Sequence, residues 1–194
     1  MVLVLLALAV GVVVGRVRGG RLRDLGAVPP ERNRLLITAL GLFVIGVLLA
    51  GEWPAMLPIC AALSWLVVAY YGWVNRRFQG ALLVSLGLAA NALVLLVNGA
   101  IPVSLDAADA AGLDAEAALT AELTVGAGTD TALGWLGRSV PVAFPPRPEV
   151  VSPGDVALAA GLATLLATAM VRPGRATMDA DAAQAEITEP QLGS

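Results

Sequence analysis

Few residues in this chain have the chemistry for catalysis. It contains no His and no Lys, and Cys60 is its only cysteine. A serine triad of the usual kind is excluded, as are an internal disulfide and a cysteine metal cluster. What remains is a small set of polar side chains within or beside apolar runs. Asn91 stands in the middle of one run, with Gly87 one turn before it and Asn98 on the same helical face. An amide in hydrocarbon needs partners, so Asn91 must face another helix or a wet cavity. It is either a polar site for a solute or ion, or an interhelical hydrogen bond worth about 0.6–2 kcal/mol, and we favour the bond. Thr164 and Thr168 share a face of the last apolar run and are candidate partners, although a Thr hydroxyl also satisfies itself on the carbonyl one turn back. Asp155 opens that last run. A carboxylate in a first helical turn is favoured by the helix dipole, with Pro153 and Gly154 leading the chain in. A proton or cation site there would need a second acid or a carbonyl cage nearby, and Glu52 is the only other acid at a run's end on that side.

These residues are positioned by five apolar runs, at 1–15, 35–50, 54–74, 81–97 and 156–171. The 194-residue chain is 58% apolar and only 14% charged, with a mean hydropathy of +0.80. A soluble core of this size cannot hide so many Val, Leu and Ala residues, whereas lipid can. We therefore expect an all-α integral membrane protein with five transmembrane helices, at about 1–16, 35–51, 54–75, 81–99 and 155–172. The first run is read as a span rather than a cleaved signal, because its Arg residues follow the apolar stretch. Ala7, Gly11 and Gly15 repeat every four residues on one helical face; they make either a dimer interface or close packing within the bundle, and we favour packing within the bundle.

Charge sets the orientation. Arg16, Arg18, Arg21, Arg23, Arg32 and Arg34 follow the first run, Arg76 and Arg77 the third, and Arg172 and Arg175 the fifth. Five crossings gather these on one side, which predicts a cytoplasmic membrane protein with the amino terminus outside and the carboxyl terminus inside. Arg16, Arg18, Arg21 and Arg23 are candidate contacts for anionic lipid headgroups at the cytoplasmic face. The acidic tail, 174–194, is expected to be disordered. Segment 99–153, between the fourth and fifth helices, is expected outside and partly helical. Ser104 caps a short helix through Ala111, 114–123 forms a second, 125–131 a turn, and the proline-rich 141–148 is extended.

Several short motifs carry a family resemblance. They are Arg16-Val17-Arg18-Gly19-Gly20-Arg21-Leu22-Arg23, Asn98-Gly99-Ala100-Ile101-Pro102-Val103-Ser104, Leu136-Gly137-Arg138-Ser139-Val140-Pro141 and Val151-Ser152-Pro153-Gly154-Asp155-Val156. In their order, from Met1 to Pro173, the chain resembles the bacterial membrane family known as domain of unknown function 5317. The resemblance implies a multi-pass membrane protein, assigns no activity, and singles out Asn98, Gly99, Pro102, Gly154 and Asp155. Ala100 and Ile101 depart from the usual Gly and Met, and Arg138 stands where an Asp is usual. Asn98 and Gly99 are expected to end the fourth helix, with Gly99 in a left-handed conformation and Pro102 stopping it.

The expected function is a non-enzymatic structural or partner-binding envelope component, needing no cofactor or metal and contacting no nucleic acid. Its partners would be the lipid bilayer and another membrane protein or a further copy of itself. A small-solute transporter or channel subunit using Asn91, and an outer-face membrane enzyme using Asp155, are the rival readings.

Overall fold

The computed structural model describes residues 2–26, 28–120, 123–145 and 147–171. Within them the protein is mostly helical. Five apolar helices, α1 (Val2–Val17), α2 (Arg34–Leu49), α3 (Met56–Val74), α4 (Ala81–Asn98) and α7 (Pro153–Ala169), coincide with the five apolar runs. Two short helices, α5 (Leu105–Ala111) and α6 (Ala115–Leu119), lie between α4 and α7. Only α3 and α4, at 19 and 18 residues, are long and apolar enough to cross a membrane; α1, α2 and α7 are apolar but shorter. The acidic tail, with Arg172 and Arg175, lies outside the described residues.

The helices pack chiefly in the order α1–α7–α4–α3–α2, and every joint is made by small residues. Gly11 and Gly15 of α1 lie on Ala163 and Ala167 of α7, Gly87 of α4 and Gly80 just before it on Gly154 and Gly161 of α7, Gly72 of α3 on Ser85 of α4, and Gly46 of α2 on Cys60 of α3. A methyl group on Gly87 would collide with the Gly154 carbonyl oxygen, and one on Gly11 would sit 2.7 Å from that of Ala163. Backbone therefore meets backbone across these joints, which brings van der Waals contact along their length. Ser64 strengthens the α2–α3 joint by donating its hydroxyl to the Ala39 carbonyl at 2.8 Å.

The same contacts set a vertical offset. Because Gly80 faces Gly161 and Gly87 faces Gly154, α4 and α7 are antiparallel, and α7 begins beside the middle of α4. Asn98 ends α4 seven residues beyond Asn91, a rise of about 10 Å. Helix α1 runs parallel to α7 at the same level, Gly11 beside Ala163 and Gly15 beside Ala167. The α1–α7 pair thus stops short of the end of α4, leaving a notch.

The described residues between 99 and 152 fill that notch as a folded cap. Four three-residue strands build it: β1 (Ile101–Val103) parallel to β2 (Thr124–Gly126), and β3 (Val140–Val142) antiparallel to β4 (Glu149–Val151). A bridge from Val103 to Arg138 joins the two pairs. Val103, Ala107, Ala108, Ala111, Ala118 and Val150 form the cap's own core, and Ile101 joins Ala61, Ala62, Ala92 and Leu95 to anchor it on α3 and α4. The expectation of an all-α fold with a partly helical segment between the fourth and fifth helices is therefore corrected: the fold is mostly helical, and that segment also holds four short strands among the described residues. Residues 125–131 contribute to a strand before they turn, and Pro102 lies in β1 rather than simply ending α4. These strands are too short to show an alternating pattern, and β1 and β2 pair across more than twenty residues of chain. In the second short segment α6 covers Ala115–Leu119, capped by the Asp114 side chain; residues 121 and 122 lie outside the described residues. Ser104 caps α5, accepting from the Ala107 N–H at 3.2 Å.

Gly87→Ala should lower the unfolding free energy by about 1–3 kcal/mol, because the α4–α7 backbones must separate. Gly41→Ala, with open space around it, should leave stability unchanged or slightly raised. Thermal unfolding of the two variants beside the parent protein checks both.

Candidate functional site

The sequence Ser152-Pro153-Gly154-Asp155 makes a compact helix start. Ser152 is the N-cap, its Oγ accepting from the Asp155 N–H at 2.9 Å, while Asp155 Oδ2 accepts from the Ser152 N–H at 3.0 Å. This reciprocal capping box satisfies two of the donors that a helix start leaves open, and Pro153 occupies a position where no N–H is needed. Asn91 closes the arrangement from α4. Its Nδ2 donates to Asp155 Oδ1 at 2.7 Å, and its Oδ1 accepts from the Ser152 hydroxyl at 2.7 Å. Gly154 must be glycine, since a Cβ there would strike the Asn91 amide. Asn91 is 6% exposed and Ser152 1%. The Ser152 proton points at an amide oxygen rather than a base, so the loop is built to hold two helices and not to activate a nucleophile.

This geometry replaces the expected pairing of Asn91 with Thr164 and Thr168. Those hydroxyls donate to the Ala160 and Thr164 carbonyls one turn back, both at 2.8 Å. Glu52 does not join Asp155 in the cavity that Asp155 lines. Asn98, Gly99 and Pro102 all serve the seat of the cap. Asn98 Nδ2 donates to the Ala132 carbonyl at 2.9 Å and its Oδ1 accepts from the Ala132 N–H at 3.0 Å, imitating a strand pairing. Gly99 takes φ 70° and ends α4. The Pro102 carbonyl accepts from the Arg138 N–H at 2.8 Å.

A chamber of about 780 Å³ lies between cap and bundle. Trp65, Leu88 and Leu158 line it from α3, α4 and α7, Leu3 and Val4 from α1, and Arg138, Arg147 and Glu149 from the cap, with Asn91 and Asp155 also in its wall. Glu149 sits at the start of α1, its oxygens accepting from the Val2 N–H at 3.0 Å and the Leu3 N–H at 2.7 Å. Burial pushes the Glu149 carboxyl up, but the positive amino-terminal charge and these N–H groups outweigh it and hold it below the ordinary carboxylate range. The two acids of the chamber are thus engaged by bonds within the chain. The two guanidiniums are not: the buried Arg138 Nε has no acceptor, and neither Arg side chain makes an ion pair among the described residues.

At the opposite end Arg16, Arg18, Arg21 and Arg23 are all exposed. Asn75 organises the loop there, its amide exchanging bonds of 2.8 and 3.0 Å with the Glu31 backbone, while Arg77 pairs with Glu31 at 3.0 Å. The sequence alone points to no role in a site for Asn75, Glu149, Arg147 or Ser152. Only Ser152 carried a local signal, the Ser-x-x-Asp spacing of a capping box. No group of three or more His, Cys, Asp and Glu side chains suited to a metal converges among the described residues.

Asn91→Leu should destabilise the fold by about 1–3 kcal/mol by stranding the Ser152 hydroxyl and an Asp155 oxygen. Combined with Ser152→Ala the loss should be less than the sum of the single losses, because the residues share one loop; additive losses in denaturant titrations would mean that they are uncoupled. For Glu149, a lowered folded-state pKa means that its stabilisation is present above the unfolded pKa and is lost as pH falls through the folded value. The melting temperature should therefore drop in that acid range, and Glu149→Gln should start lower at neutral pH and respond less to acid.

A sequence profile described as Family of unknown function (DUF5317) matches residues 34–167, more than two thirds of the chain. No curated protein and no solved structure matches. The matched stretch runs from the first residue of α2 almost to the end of α7. It includes Asn91, Asn98, Gly99, Pro102, Arg138, Arg147, Glu149, Gly154 and Asp155, whereas α1 and the motif from Arg16 to Arg23 precede it. With the whole joint and most of the chamber wall inside the match, the chain belongs to this family of unknown function, DUF5317.

Proposed function

We propose that the protein is a multi-pass component of a bacterial cytoplasmic membrane, crossing it with α1, α2, α3, α4 and α7, and that it acts by binding rather than by catalysis. The observation that carries this reading is the inverted distribution of side chains. Small residues fill the helix joints, while large apolar ones face outward: Leu48 is 75% exposed, Ile37 72%, Leu5 67% and Leu40 63%. In water each such side chain would forgo roughly 1.5–3 kcal/mol of burial; in lipid it is solvated. Helices that gain little from apolar burial associate instead through small residues and close backbone contact, as these do.

Charge supports an orientation. The folded chain has Arg16, Arg18, Arg21, Arg23, Arg32, Arg34, Arg76 and Arg77 toward one end of the bundle, suited to cytosol and anionic headgroups. The cap at the other end carries Asp106, Asp109, Asp114, Glu116 and Asp130. Helices of 16 and 17 residues span about 24–26 Å, less than the roughly 30 Å of a bilayer core. The offset of the α1–α7 pair and the cap set into the notch are a physical means of accommodating that shortfall. Asn91, which a solute pathway would need free, has both ends of its amide engaged, and this favours a structural joint over a transport site.

Topology tests the proposal. In a Cys60→Ala background, Cys residues at positions 23 and 106 should react with a membrane-impermeant maleimide from opposite sides, position 106 in intact cells and position 23 only after permeabilisation. Labelling of both from the same side would remove the five-span arrangement, and recovery of the protein as a compact aqueous monomer without detergent would remove the membrane reading.

A further inference from the structure

We infer that the chamber under the cap is a binding site for a single-chain amphiphile with an anionic head, such as a fatty acid or a lysophospholipid. Its volume of about 780 Å³ falls within the roughly 300–1,000 Å³ of pockets that enclose one small organic ligand. Trp65, Leu88 and Leu158 give it an apolar side formed by helices. The cap contributes Arg138 and Arg147, whose guanidiniums have no ion pair within the described residues. A guanidinium presents a fork that matches carboxylate or phosphate oxygens. The acids do not cancel this positive character toward a ligand, because Glu149 is held by the α1 N–H groups and Asp155 by Asn91 and Ser152. An anion alone would leave the apolar side empty, and a neutral hydrocarbon would leave the guanidiniums unpaired; a molecule with both parts satisfies both.

The inference rests on the membrane reading, which supplies such molecules beside the bundle. The test measures equilibrium binding of palmitate, palmitoyl lysophosphatidic acid, hexadecyltrimethylammonium and inorganic phosphate to the purified full chain in short-chain maltoside micelles, by native mass spectrometry and competition with radiolabelled palmitate. One molecule of palmitate or lysophosphatidic acid should bind per chain, the tighter of the two identifying the carboxylate or the phosphate as the preferred head. The cationic chain should bind at least tenfold more weakly. Arg147→Gln, at an exposed guanidinium, should weaken binding of the anionic chains severalfold, and Arg138→Gln tenfold or more. Ala117→Trp, which narrows the chamber from the cap without changing charge, should abolish binding while thermal unfolding stays cooperative. Equal affinity of wild type and the Arg147→Gln and Ala117→Trp variants would mean nonspecific partitioning and overturn the inference. So would phosphate competing as well as the chain-bearing anions, or equal binding of the cationic chain. The labelling experiment fails independently of these readouts, so loss of the membrane reading and loss of the ligand are separable.

Discussion

Close approach of helix backbones through glycine and alanine is the constraint on which the rest of this structure depends. Gly87 against Gly154 and Gly80 against Gly161 leave no room for a side chain between α4 and α7, and Gly11 against Ala163 does the same between α1 and α7. Shape complementarity at the level of the main chain sets register much more strictly than interdigitating leucines would, because a shift along the axis would bring side chains against carbonyl groups. From this register follow the offset of the α1–α7 pair, the notch at the end of α4, and the position at which α7 begins. The cap occupies space that the helix contacts leave vacant.

The polar joint depends on the same register. Asn91 meets Ser152 and Asp155 because Gly87 and Gly154 hold the start of α7 one turn away from it. An amide, a hydroxyl and a carboxylate then satisfy one another and the two N–H groups of the capping box. Each member alone would be a buried polar group in need of a partner; together they form a directional clamp on a helix interface that otherwise offers only dispersion. On the proposed membrane reading such a clamp has added value, since lipid offers no competing hydrogen bonds. Its components are occupied with holding the fold, while Arg138 and Arg147 nearby on the cap make no ion pair among the described residues.

The cap joins these features. Asn98 pins it to the end of α4 through Ala132, Ile101 packs into the α3–α4 interface, and Glu149 binds the first N–H groups of α1. It thereby spans helices from both sides of the notch and forms one wall of the chamber. A Gly at position 99 lets the chain turn sharply off α4 into β1, and a Ser-Pro-Gly-Asp start returns it from β4 into α7. The residues singled out by the family resemblance are thus largely those at which the chain enters and leaves the cap.

The amino-acid sequence by itself determined where the five apolar helices lie, since each is a continuous run of residues able to form a helix and bounded by charge, glycine or proline. It also determined the Arg-rich and acidic ends, the Ser104 cap, the left-handed Gly99, and the need of Asn91 for a partner, because each is a property of a residue and its near neighbours. It did not determine which partner Asn91 takes. Thr164, Thr168 and Asp155 are all on α7, and only the glycine contacts decide which comes level with it, across 64 residues of chain. The four strands escaped for a related reason: three residues are too few to express a period of two, and β1 and β2 find each other only because α5 and α6 fold between them. The chamber, too, belongs to the tertiary structure, since Arg138 and Arg147 acquire a common cavity with Trp65 and Leu88 only when the cap settles into a notch created by helices far away in the chain.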